Sequence, residues 1–171
     1  AHADEGDSAT RRALESSRQP VVFHDRDGHG VGDAVWVDHR SGAQSVVRHL
    51  VEFGHRRIAL LSPPTSIRPG RERLEGFRQS LAAAGIPYDP ALTRELGASS
   101  ELAFSEAKAL LAMSRPPSAI ICLGTHMLAG VLMAVSSAGL AVPGDISIVG
   151  IGDTDLVRLH RPQITSVRWN I

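Results

Sequence analysis

A parallel α/β fold is predicted by two patterns along the chain and by the residues that separate them. Short runs rich in Val, Ile and Leu alternate with stretches whose apolar residues recur at three- and four-residue spacing, as strands joined by crossover helices do. Gly and Pro stand at the joints between the two. The 171 residues suffice for one ordinary domain with a core, or for two small lobes sharing a crevice.

Each element follows from its own stretch. A short helix is expected around Ser8 to Ser16, then a strand from Pro20 to His24, the Gly-rich "RDGHGVGD" and a second strand in "AVWVD". Ala43, Val46, Val47, Leu50 and Val51 share one helical face, with Ser41 placed to cap the start and Gly54 to end it. "RRIALLSPP" is a strand stopped by two prolines, and Leu74, Phe77, Leu81 and Ala84 stripe a helix ending at Gly85. "LTRELG" is a further strand, Ser100 to Ser114 a helix, "SAIICLG" a strand and Met127 to Ala138 a helix stopped by Gly139 and Pro143. "ISIVGIG" and "QITSVRW" close the series as strands. In an open parallel sheet, ligands bind beyond the carboxyl ends of the strands. Those ends fall at Asp25 and Arg26, Asp38, Ser62 to Arg73, Gly97 to Ser99, Gly124 and Thr125, and Gly152 and Asp153.

Composition removes several function classes. Eighteen basic and eighteen acidic side chains balance to zero net charge, so nothing in the overall charge points to a DNA duplex or an anionic membrane. The one cysteine, Cys122, lies in an apolar run and reads as a core thiol; alone, it forms no internal disulfide. No stretch approaches the roughly 18 apolar residues of a membrane span, and the polar, acidic start is unlike a signal peptide, so a cytoplasmic protein is expected. Both ends read as cut from a longer chain. His24, Asp25, Asp27 and His29 alternate along an extended stretch, which favours a loop over a metal or acid-base site. "GIGDTD" lacks the third glycine of a dinucleotide fingerprint, and neither a phosphate loop nor a nucleophile elbow is present. No catalytic residue, metal or cofactor is therefore assigned.

"VDHRSGAQSVVRHLVEFGHRRIALLSPP", "RERLEGFRQSLAAAGIPYDPAL", "RPPSAIICLGTHMLAGVLMAVSSAGLAVPGDISIVGIGDTD" and "RPQITSVRW" together resemble the effector-binding core of LacI/GalR-type transcription regulators. The resemblance implies a two-lobed fold of the type I periplasmic-binding-protein kind, incomplete in this chain. Residues 1–55 would be the later part of the N-terminal lobe, 56–162 the C-terminal lobe, and 163–171 a strand crossing back toward the first lobe. It implies an effector pocket at Arg26, Asp38, Arg73, Ser99, Gly124, Thr125 and Gly152, with Asp153 beside the last. Arg73 opens the "RLEGF" motif and brings a planar fork of donors suited to effector oxygens. Ser99, Thr125 and Gly152 stand where many members carry an aromatic residue and two aspartates. That loss of negative charge favours an anionic sugar derivative over a neutral hexose.

The function implied is sensing, not catalysis. A small metabolite binds between the lobes of a homodimer whose operator DNA is held by an N-terminal helix-turn-helix that this sequence does not include. Dimerisation is expected to use the apolar faces of helices such as Met127 to Ala138. A periplasmic sugar-binding transport protein is the alternative of the same fold, and an α/β enzyme the alternative of another class.

Overall fold

The computed structural model describes residues 8–17, 19–27 and 30–168. An exposed helix α1 (Ser8–Glu15) precedes two short strands, β1 (Val22–His24) and β2 (Asp33–Val35), which pair in parallel. The rest is α2 (His39–Glu52), β3 (Ile58–Ser62), α3 (Arg68–Ala83), β4 (Thr93–Glu95), α4 (Ser100–Leu111), β5 (Ala119–Cys122), α5 (Thr125–Ser137), β6 (Ser147–Ile151), α6 (Asp155–Leu159) and β7 (Thr165–Val167). A 3₁₀ turn, Pro90–Leu92, leads into β4. That turn and α6 were not read from the sequence, since each is shorter than the window in which periodicity shows.

Five strands form one all-parallel sheet in the order β4-β3-β5-β6-β7. Both faces are covered, as parallel sheets require. Ile58, Leu60, Ala119, Ile121 and Val149 pack under α2 and α3 against Val47, Leu50, Leu74 and Phe77. Ala59, Leu61, Ile120, Cys122 and Ile148 face the other way, against Ala103 and Leu110 of α4 and Leu128, Val131 and Val135 of α5. The alternation within each strand assigns its residues to the two layers. Glycines let the helices approach closely. A Cβ at Gly76 would lie 2.5 Å from Arg40 O across the α2/α3 contact, and one at Gly130 would lie 2.4 Å from Ser100 O across α4/α5.

One expectation changes. Asp38, not Ser41, caps α2: its carboxylate accepts from the Ser41 amide at 2.9 Å. The helix start is one turn earlier because the aspartate precedes the free amides, while the serine supplies one of them. Helix α2 shares the core of the five-stranded sheet. Strand β7 is the outer strand of that same sheet and pairs with β6.

Candidate functional site

Within the large sheet the order runs second, first, third, fourth, fifth in chain sequence, so the chain reverses direction between β3 and β5. At such a switch point the loops leaving neighbouring strands part to opposite faces, and a crevice opens beyond their carboxyl ends. A cavity of about 520 Å³ lies there. Pro63 and Pro64 after β3, Leu96 and Gly97 after β4, and Gly124, Thr125 and His126 at the start of α5 line it, with Ile67 and Met127 on its apolar side. Arg26 reaches it from the bend after β1. The cavity therefore lies between the two-stranded and the five-stranded units. Among the described residues its lining holds two basic side chains, Arg26 and His126, and no carboxylate.

Beside the cavity, polar groups join the two units. Asp25 takes a left-handed backbone conformation (φ 53°), which aspartate tolerates better than most residues. The turn aims its carboxylate at α2: Oδ1 accepts from the Val37 amide at 2.9 Å, and Oδ2 lies 3.1 Å from His39 Nε2. His39 is buried, and its Nδ1 meets Arg73 Nη2 at 3.2 Å. Arg73 Nη1 donates onward to Leu123 O at 2.8 Å, at the end of β5. Four segments thus meet in one relay. Asp27 extends it, 2.6 Å from Arg71 and 3.4 Å from Arg68, and the Arg68 guanidinium stacks 4.3 Å from the Trp36 ring centre.

Burial governs the electrostatics of the relay. It pulls the Arg73 guanidinium down to about 10, opposed by Asp25, so the arginine stays charged at neutral pH. Burial also pushes His39 below its ordinary value, helped by the Arg73 charge and opposed by Asp25. Burial raises Asp25, but the Val37 amide and His39 outweigh it and leave the carboxyl below its usual value. Asp38 is lowered by its bond from the Ser41 amide.

The residues singled out in the sequence fall into separate places. Arg26, Gly124 and Thr125 line the cavity beyond the ends of β3 and β5. Asp38 and Arg73 border a narrow hollow of about 20 Å³ with His39, Leu123 and Ile151. Ser99 caps α4, accepting from the Leu102 amide at 3.1 Å. Gly152 is left-handed (φ 78°) and its amide donates to Val167 O at 2.8 Å. A turn at the strand end thus explains the glycine without reference to a ligand. Asp153 is paired with Arg158 at 2.5 Å and lies 3.4 Å from Arg168, so the carboxylate is already engaged away from the cavity. Arg73 itself sits in the second turn of α3 and is 7 % exposed. Arg68 and Arg71 open α3 in contact with Asp27.

Sequence reasoning missed His39 and Trp36. The available signal was complementary charge between "DRD" and "RPGRER", whose paired residues, Asp27 with Arg68 and Arg71, lie more than forty positions apart. Of the loop histidines, His29 lies outside the described residues. Among the described residues no group of three His, Cys, Asp or Glu side chains is placed to hold a metal ion, and no helix is long and apolar enough to cross a membrane.

A doubly covered parallel sheet with a crevice at its switch point, faced by a second unit across that crevice, defines a ligand-binding α/β protein of the two-unit class. Comparison with known proteins specifies it further. The family model of the periplasmic-binding-protein-like domain matches residues 47–171. The HTH-type transcriptional regulator GalR of Escherichia coli (strain K12) is 35% identical over 136 residues, 79% of this chain and 39% of that protein. The crystal structure of a regulatory protein of the LacI family from Chloroflexus aggregans superposes with a TM-score of 0.84 at 28% identity, over 98% of this chain and 60% of that one. A complex of the transcriptional regulator CelR with cellobiose superposes with a TM-score of 0.78 at 30% identity, over 86% and 46%. The chain belongs to the periplasmic-binding-protein-like domain family, and these relatives place it with regulators of the LacI/GalR type. It spans about 40% of the length of the curated relatives it matches.

Proposed function

We propose that this chain is the effector-sensing core of a LacI/GalR-type transcriptional regulator. The observation that carries this is the position of the 520 Å³ cavity, lined by Arg26 from one unit and by three strand ends from the other. A ligand held from both sides stabilises one relative placement of the units over another, which is how binding becomes a signal without bond chemistry. In the whole protein that change would reach operator DNA through a helix-turn-helix in a cytoplasmic homodimer. Met133 on α5, 59 % exposed, offers apolar surface for such a dimer.

The effector we favour is a small sugar derivative bearing a phosphate or carboxylate. Arg26 and His126 with no carboxylate in the lining suit an anion, while Pro63, Pro64, Ile67, Leu96 and Met127 suit the apolar face of a ring. Cellobiose, the ligand of the CelR complex, makes neutral sugars the comparison to include. A thermal-shift panel of neutral sugars, sugar phosphates and sugar acids on the chain tests this. Stabilisation by an anionic compound that Arg26→Ala abolishes is expected. Stabilisation by neutral sugars alone refutes the anion preference, and no stabilisation across the panel counts against the sensing role.

A further inference from the structure

His39 has no part in the cavity lining, yet it supplies one of the two partners that hold the Arg73 fork, the other being Leu123 O. The imidazole is 4 % exposed and sits between two groups of opposite charge. Its Nδ1 meets Arg73 Nη2 at 3.2 Å, and its Nε2 lies 3.1 Å from Asp25 Oδ2. An arginine nitrogen only donates, so Nδ1 must be the bare acceptor and the neutral ring carries its proton on Nε2, which faces the Asp25 carboxylate at ion-pair distance but outside hydrogen-bond geometry. A second proton has nowhere to go except Nδ1, where it removes the acceptor that Arg73 uses and sets two cations side by side.

Among the described residues, the charged groups packed around the ring come from three segments: Asp25 from the bend after β1, Arg73 and Glu72 from α3, and Asp38 from the cap of its own helix. From β5 the relay receives only the Leu123 carbonyl, and from β6 and β7 the neighbouring hollow receives only apolar Ile151 and Val167.

We infer that His39 is a positioning residue: in its neutral Nε2-protonated form it fixes the Arg73 fork and ties the β1 segment to the end of β5, and protonation releases both. For its functional meaning the inference rests on the crevice reading above, because the segments tied together are those that enclose the cavity. Burial and the Arg73 charge, which disfavour the imidazolium, act in the same direction as the geometry.

The test needs no effector. In the isotopically labelled chain, long-range nitrogen–proton spectra report the His39 tautomer, and the Arg73 Nη protons report whether the fork is held, since a hydrogen-bonded guanidinium rotates slowly. At about pH 7.5 the Nε2-protonated tautomer and separate, slowly rotating Arg73 Nη signals are expected. On acidification the Arg73 signals should collapse together with the titration of the His39 ring, at a pH below the ordinary histidine value.

His39→Asn places an amide oxygen near the Nδ1 position and does not titrate, so its Arg73 signals should persist through that range. His39→Phe should lose them at every pH while the amides of β3 and β5 stay protected from exchange. A ring protonated at Nδ1, a ring that titrates without moving the Arg73 signals, a ring that stays neutral down to about pH 4.5, or an asparagine variant that follows the wild-type pH profile overturns the inference. Any of these leaves the thermal-shift result standing, and silence in the ligand panel leaves the His39–Arg73 coupling measurable.

Discussion

Replacing Arg73 by alanine removes the arginine that the resemblance assigns to the effector, and the structure shows that it also removes a tie within the fold. Arg73 is 7 % exposed, and its two terminal nitrogens serve Leu123 O and His39 Nδ1. Alanine strands both acceptors away from water, at a cost of about 1–3 kcal/mol each. Two effects oppose that loss: the guanidinium no longer has to leave water, and its Nε, buried without a hydrogen-bond partner, disappears. The net expectation is a destabilisation of about 2–4 kcal/mol. For a chain of this length each kcal/mol moves the melting midpoint by about 2–4 °C, so a fall of roughly 4–16 °C is expected. Circular dichroism melts of the wild type, Arg73→Ala and Arg73→Lys at one pH provide the measurement. Lysine keeps the charge but not the fork, so it should fall between the other two. A midpoint within about 2 °C of wild type for alanine refutes the structural role and returns Arg73 to the part of a dispensable ligand contact.

Gly130→Ala forces a methyl group to within 2.4 Å of Ser100 O and 2.7 Å of Ala103 Cβ, so α4 and α5 must separate. A loss of about 1–3 kcal/mol is expected in denaturant unfolding; wild-type stability would show that the contact is soft. Burial pushes the Cys122 thiol well above its ordinary range, so a thiol reagent should label it only after denaturation, and rapid labelling of the native chain contradicts its burial. His39 and His55 both have values lowered chiefly by burial. Above the ordinary histidine value both states are neutral, and between that value and the lowered one the unfolded chain alone takes up protons. Stability should therefore fall as pH drops through this window, more weakly in His39→Asn; a melting midpoint that rises on acidification from about pH 7.5 to about pH 5.5 is the opposite sign and excludes the assignment.

The sequence by itself determined the layered fold. Strand runs such as "RIALLS" and "SAIIC" are apolar on both faces, and Val46, Val47 and Leu50 recur on one helical face, so the covered parallel sheet was legible without a partner in view. It also located the strand ends, and Arg26, Gly124 and Thr125 do line one cavity. Which strands are neighbours was not legible, because the order β4-β3-β5 depends on contacts between segments distant in sequence. The functional weight of individual charges depended on the same distant contacts. The contacts that Asp38 makes as a helix cap, that Gly152 makes in a left-handed turn and that Asp153 makes with Arg158 were not legible in the sequence. His39 looks like one polar residue in "VDHRSG" and stands between Asp25 and Arg73, thirty-four residues from the latter. A hydrogen bond or an ion pair acts over about 3–4 Å and needs a particular direction. Local pattern fixes which face of an element is apolar, whereas only the packed chain decides which polar atoms come within that reach.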